Sequence, residues 1–188
     1  MKRTLAIFGM ATTALSAALF AQEKERPLAV GVMAPNFTLS GATSAGVLPK
    51  PVTLSDYRGQ TVVLAFFPKA RTGGCTAQMD AYRDQYAKVF HGGQGVKVFA
   101  ISVDADTTQA SWAKDKGYPV TFLSDSKAEV VHQYGVAMQT KIGVLASRVL
   151  YVVDANGKIA RVMAPFRETD PAAYTELASS IDQVHGGH

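Results

Sequence analysis

The run Thr61-Val62-Val63-Leu64-Ala65-Phe66-Phe67 carries no charge and ends on Pro68, and a few residues later the chain reaches its single cysteine, Cys75. An apolar stretch of this length, bounded by a turn signal, reads as a buried strand. Pro68 to Gly74 forms a Pro/Gly-rich turn, and a helical pattern begins at about Cys75. A buried strand feeding directly into a helix implies a layered arrangement of sheet and helices. It also sets a cysteine at the mouth of a helix.

That position has chemical meaning. The first turn of a helix leaves backbone N–H groups unpaired and carries the positive end of the macrodipole, so it favours an anion. Thiols at helix N-termini or beside cations ionise more readily, and the thiolate is the nucleophile. The competing reading is a small buried hydrophobe, which is what most free cysteines are. Small and polar flanks, with Gly73-Gly74 before it and Thr76 after it, favour a reactive Cys75.

The rest of the chain supplies the layers. Residues 22 to 35 form an extended lead-in broken by Pro27 and Pro35, and Asn36 to Ser40 alternates as a short strand. Gly41 to Pro51 reads as a loop, Val52 to Leu54 as a short strand, and Ser55 to Gly59 as a turn. Thr76 to Phe90 carries Met79, Tyr82, Tyr86, Val89 and Phe90 at helical spacing, a stripe assigned to core packing. Val96 to Val103 suits a sheet covered on both faces. Thr107 to Lys116 is a helix anchored by Trp112, Val120 to Leu123 a strand, Lys127 to Tyr134 a helix, and Gly135 to Ala146 a long loop. Val149 to Val153 and Lys158 to Met163 flank Asp154-Ala155-Asn156-Gly157, a hairpin signal. Asp170-Pro171 opens a last helix to about Val184, with Asp as N-cap and Pro in the first turn. Alternating strands and helices that close on a hairpin predict one α/β domain with a mixed sheet over residues 34 to 184, followed by a frayed tail, 185 to 188.

Residues 1 to 21 have the parts of a secretory signal: Lys2-Arg3, an apolar stretch from Leu5 to Phe20, and Ala21 before the charged segment Glu23-Lys24-Glu25-Arg26. The alternative, an uncleaved anchor, is weakened by Gly9, Thr12, Thr13 and Ser16, which dilute the apolar stretch. The expected location is therefore periplasmic or secreted, with no stable membrane association after cleavage. The formal net charge is +4, of which Lys2 and Arg3 supply two, and no Lys/Arg cluster with interleaved aromatics points to nucleic acid. Exported chains commonly pair their cysteines, but one cysteine cannot form an internal disulfide, so a leftover thiol here reads as a reactive group.

The spacing Pro68-x-x-x-Thr72-x-x-Cys75 resembles the peroxiredoxins, and most of all their bacterioferritin-comigratory (PrxQ-like) branch, whose usual form here is Pro-Lys-Ala-x-Thr-Pro-Gly-Cys-Thr. Ala34 to Leu39 and Leu54 to Gly59 resemble the amino-terminal pattern of the same family. The resemblance covers about Ala34 to Val184 and implies a thioredoxin-like fold, a mixed sheet flanked by helices. It implies reduction of hydrogen peroxide and organic hydroperoxides by Cys75, which passes through a sulfenic acid. Thr72 then presents a hydroxyl that orients the substrate, Pro68 closes one side of the pocket without offering a donor, and Arg148 supplies the cation beside the sulfur. Read without the family, Arg148 is an edge-strand surface cation. Arg71, nearer in sequence, is expected to face solvent.

Two departures stand out. Many members of the branch carry a second cysteine in a Cys-x-x-x-x-Cys pattern, where this chain has Asp80, and Gly73 replaces the usual Pro. The reading is thus a 1-Cys enzyme without cofactor, reduced by an external thiol, either a thioredoxin-like protein or a low-molecular-weight thiol, and existing as a monomer or weak homodimer. His91, His132, His185 and His188 lack metal-ligand spacing, and Asp104-Ala105-Asp106 lacks the rest of a calcium loop. Two other functions compete. A thiol-disulfide exchange protein would want Cys-x-x-Cys, which is missing, and a binding domain could keep the fold without turnover.

Overall fold

The structure is a computed structural model that describes residues 25–186. Its strands are β1 (Thr38–Thr43), β2 (Gly46–Val47), β3 (Val52–Thr53), β4 (Thr61–Phe66), β5 (Val96–Ser102), β6 (Thr121–Ser124), β7 (Ala137–Thr140), β8 (Gly143–Ala146), β9 (Val149–Val153) and β10 (Ile159–Met163). Its helices are α1 (Gly73–Asp84), α2 (Tyr86–Val89), α3 (Asp106–Lys116), α4 (Glu129–Gln133) and α5 (Pro171–His185). The main sheet runs β10-β9-β4-β5-β6-β1-β2, with β3 paired to β1. Strands β4, β5 and β6 are parallel, whereas β9 and β10 on one flank and β1 on the other run antiparallel, so the sheet is mixed and the expected α/β class holds.

Strand β4 is buried at every position because both its faces are covered. Val63, Ala65 and Phe67 point into one core with Met79 and Tyr82 of α1, Trp112 of α3 and Leu177 and Ile181 of α5. Val62, Leu64 and Phe66 point into a second core with Phe37, Val131, Tyr134, Tyr151 and Ile159. The lead-in closes that second face. Leu28 N–H donates to Tyr151 Oη at 3.1 Å, Gly31 N–H to the Ile159 carbonyl at 2.7 Å, and Ala34 N–H to the Gly157 carbonyl at 2.9 Å. Farther out, Glu25 Oε1 lies 2.5 Å from His132 Nδ1.

Several expectations are corrected. Gly135 to Ala146 is not a loop: Ala137–Thr140 and Gly143–Ala146 pair as a β-hairpin. Gly41 to Pro51 is not all loop either, since β1 runs on to Thr43 and pairs with Gly46–Val47. The stretch Thr76 to Phe90 is not one helix, because Gln85, at φ −115°, ψ 15°, separates α1 from α2. His185 belongs to the last turn of α5 rather than to a tail, with its ring 5.1 Å from that of His91. The final helix begins as read, with the Asp170 carboxylate accepting from Ala172 N–H at 2.9 Å and Pro171 at the first position. The leader, residues 1 to 21, lies outside the described residues. Among the described residues no helix is long and apolar enough to cross a membrane.

Candidate active site

The helix that carries the cysteine starts earlier than its periodicity suggests. Thr72 is the N-cap of α1, Gly73 the first helical residue and Cys75 the third. The turn before it is fixed from below. Ala70 N–H donates to Asp104 Oδ2 at 2.7 Å, and the Ser102 hydroxyl donates to the same oxygen at 2.8 Å. Gln109 Nε2 in turn donates to Ser102 Oγ at 3.0 Å, so a polar network at the carboxyl end of β5 holds the Pro68–Thr72 turn.

Cys75 is 1% exposed and belongs to the core between α1 and the sheet. The expectation that its small neighbours leave it open is therefore corrected, because the cover comes from tertiary packing rather than from adjacent residues. The sulfur is not isolated in apolar surroundings. Arg148, just ahead of β9, has a side chain only 12% exposed and donates from Nη2 to Cys75 Sγ at 3.5 Å. Strand β9 pairs with β4 through Phe66 and Val149, which brings residues far apart in sequence to the same end of the sheet. Arg148 is not the surface cation that its residue type alone suggests.

The same guanidinium donates from Nη1 to Gln78 Oε1, and its Nε lies 3.1 Å from Glu168 Oε2. Gln78 is fully buried and donates from Nε2 to Tyr82 Oη at 2.9 Å. Burial pushes the Tyr82 phenol well above the usual tyrosine range, so it remains a neutral acceptor at the foot of the network. Three nitrogens of Arg148 are thus committed to three partners, which suits a planar fork.

The other expected residues are placed differently. Pro68 follows β4 and is half-buried. Thr72 is exposed and its hydroxyl donates to the Lys69 carbonyl at 2.8 Å, so that proton is committed to the turn, while the oxygen keeps acceptor capacity. Arg71 is solvent-facing as expected, and is tied to α3 through Ser111 at 2.7 Å and Asp115 at 2.6 Å. Sequence reasoning missed Gln78, Glu168 and Asp104. Gln78 had a local signal, since it lies one turn after Cys75 on the same helix face. Glu168 had none.

A cavity of about 610 Å3 opens between the lead-in, β7 and Arg148, and its lining includes Glu25, His132, Met138 and Pro165 but not Cys75. It touches the site only through Arg148, so the sulfur's immediate surroundings weigh more than cavity size in locating the chemistry. Among the described residues no cluster of three or more His, Cys, Asp or Glu is arranged to hold a metal.

Residues 30–162 match the model of the AhpC/TSA family. The chain belongs to that family. Within the AhpC/TSA family it sides with the peroxiredoxin Q branch: it is 36% identical over 129 residues to chloroplastic peroxiredoxin Q of Sedum lineare, covering 69% of this chain and 65% of the relative. It is 35% identical over 150 residues to a putative peroxiredoxin bcp of Haemophilus influenzae, covering 77% and 91%. The chain therefore spans less than two thirds of the chloroplastic relative, but nearly all of the bacterial one. The solved peroxidoxin BcpB of Mycobacterium tuberculosis superposes with a TM-score of 0.69 at 25% identity, covering 82% of this chain and 97% of that one. The thioredoxin-like peroxiredoxin fold is thus shared, and this AhpC/TSA member lacks the second cysteine usual in its branch.

Proposed function

We propose that the protein is a thiol-dependent peroxidase. The observation that carries this reading is the contact of the Arg148 guanidinium, at 3.5 Å, with the sulfur on the first turn of α1. The Cys75 thiolate attacks one oxygen of a peroxide ROOH in line with the O–O bond. The S–O bond forms as O–O breaks, the sulfur loses two electrons, and the departing RO⁻ takes up a proton to leave as an alcohol or water. Arg148 pairs with the anionic sulfur and offers N–H groups to the charge developing on the leaving oxygen. Pro68 and Thr72 border the approach, and the Thr72 oxygen is an acceptor for the peroxide O–H.

The product is a sulfenic acid, and the chain has no second cysteine with which to condense. An external thiol R′SH displaces water to give a mixed disulfide, and a second equivalent releases the Cys75 thiol with R′SSR′. Turnover is thus 1-Cys, with hydrogen peroxide or organic hydroperoxides as substrates. Export through the leader of residues 1–21 belongs to the same proposal, and the amino-terminal sequence of the protein recovered from the periplasm tests it. The decisive experiment is stopped-flow oxidation of the purified protein, followed by trapping of the sulfenic acid. Oxidation should be orders of magnitude faster than that of free cysteine and absent in Cys75→Ser. A rate equal to that of free cysteine sinks the proposal in favour of a binding domain.

A further inference from the structure

We propose that Glu168 is a positioning residue for this reaction, which sets the Arg148 guanidinium on the sulfur; the inference rests on the peroxidase reading above. Glu168 lies beyond the stretch matched by the family model, which ends at residue 162, in the connection between β10 and α5. That connection is bound to Arg148 twice. Phe166 N–H donates to the Arg148 carbonyl at 2.9 Å, and Glu168 Oε2 lies 3.1 Å from Arg148 Nε. The Glu168 carbonyl is itself held by the Tyr174 hydroxyl at 2.7 Å, and the Tyr174 ring packs edge-on against Phe166 at 5.3 Å.

A guanidinium is rigid and planar, so fixing two of its nitrogens fixes the third. Gln78 holds Nη1 and Glu168 holds Nε, which leaves Nη2 aimed at Cys75 Sγ. With Gln78 as the only anchor, the fork would pivot about a single bond. The sulfur cannot serve as the second anchor, because its charge disappears when the thiolate becomes a sulfenic acid. Glu168 keeps its charge through the cycle, so the arginine stays in place for the next peroxide.

The fit of Gly74 supports the same role. A Cβ at Gly74 would lie 2.5 Å from Glu168 Oε1 and 3.1 Å from Arg148 Nη2, so the missing side chain is the space in which the carboxylate sits. At Gly73 a Cβ would meet nothing within 4 Å. The two adjacent glycines differ, and only the second makes room for the pair.

The test compares second-order peroxide oxidation rates of the full-length protein with those of Glu168→Ala, Glu168→Gln and Gly74→Ala. Misaiming a catalytic group by about an ångström costs up to about a hundredfold, so Glu168→Ala is expected to fall about ten- to a hundredfold. Glu168→Gln keeps the shape of the side chain but not the charge of the ion pair, so its rate should fall between those of the parent and Glu168→Ala. Gly74→Ala improves helix propensity yet displaces the carboxylate, so it should be slowed without loss of melting temperature. Glu168→Ala or Glu168→Gln at the parent rate overturns the proposal. If Glu168→Ala does not fold, the Gly74→Ala and Glu168→Gln rates decide. If the parent itself reacts no faster than free cysteine, the peroxidase reading has failed instead. Alkylation of Cys75 by iodoacetamide then still tests Glu168, with the order parent, Glu168→Gln, Glu168→Ala expected.

Discussion

The two halves of α1 each hold an arginine-carboxylate pair, and the pairs differ in what surrounds them. At the amino half, Arg148 and Glu168 have side chains 12% and 24% exposed, and the guanidinium faces a buried sulfur. At the carboxyl half, Arg83 and Asp84 are 36% and 63% exposed, while Arg83 also reaches Asp80 at 3.1 Å and the Lys116 carbonyl at 3.1 Å. Asp80 accepts from the Tyr118 hydroxyl at 3.0 Å, which ties the helix to the end of α3. The same functional groups therefore do two jobs. Where water is excluded, a fixed cation acts strongly on a neighbouring charge, and where water enters, the pair mainly adds attachment.

The comparison breaks first if the buried arginine proves dispensable. Arg148→Ala is expected to lower the rate of peroxide oxidation by about a hundredfold or more, the scale for removing a donor aimed at developing charge. Arg148→Lys should recover only part of it, because an ammonium lacks the planar fork. Stopped-flow rates at saturating reductant measure both.

Alkaline titration probes both halves together. Burial is the main cause that pushes up Tyr82, whose hydroxyl accepts from Gln78 in the Arg148 network, and Tyr118, whose hydroxyl donates to Asp80, and burial likewise pushes Tyr151 and Tyr174 up to about 12. In the unfolded chain these phenols ionise near pH 10, while the folded chain keeps them protonated. The unfolded state thus binds fewer protons above pH 10, so the stability they contribute is fully present below that pH and is lost as the pH rises toward about 12. Tyrosinate absorbance should lag the simple titration curve and then rise together with unfolding. A smooth rise centred near pH 10 contradicts the burial.

Smaller effects sharpen the contrast. Asp80→Ala removes the acceptor of a buried tyrosine hydroxyl and should cost about 1 kcal/mol in chemical denaturation. The peroxide rate should remain within about twofold, and Tyr118 should ionise at lower pH than in the parent, since its bond to Asp80 is one of the causes that raise it. Smallest is Gly73→Pro. At the first helical position proline is preorganised, and in the open space around Gly73 it should add about 0.4–1 kcal/mol of stability with the oxidation rate unchanged.

Much of this was legible in the chain. The uninterrupted apolar run of β4, the Pro/Gly turn and the single cysteine place Cys75 at the start of a helix, because strand burial and helix termination are local properties. Asp170-Pro171 and Asn156-Gly157 likewise announce their helix start and hairpin. The hairpin of β7 and β8 did not, since Met138, Gln139 and Gly143 are exposed and the segment shows no alternation. The break at Gln85 falls within an apolar stripe that continues across it, so periodicity could not reveal it. The burial of Cys75 and the arrival of Glu168 depend on which segments meet across the sheet, and no pattern within a window of residues encodes that.

Helix α1 runs without interruption from Gly73 through Asp84, and this bears on any attempt to retrofit an internal disulfide. Five residues of helix rise about 7.5 Å. A bridge tolerates Cα separations only up to about 7 Å. A sulfur installed by Asp80→Cys would share a chain with Cys75 and still be out of reach while the helix stands. Closing such a link would require α1 to uncoil and give up the Arg83 bond to the Lys116 carbonyl, so oxidation would be registered as a change of shape instead of a change at one atom.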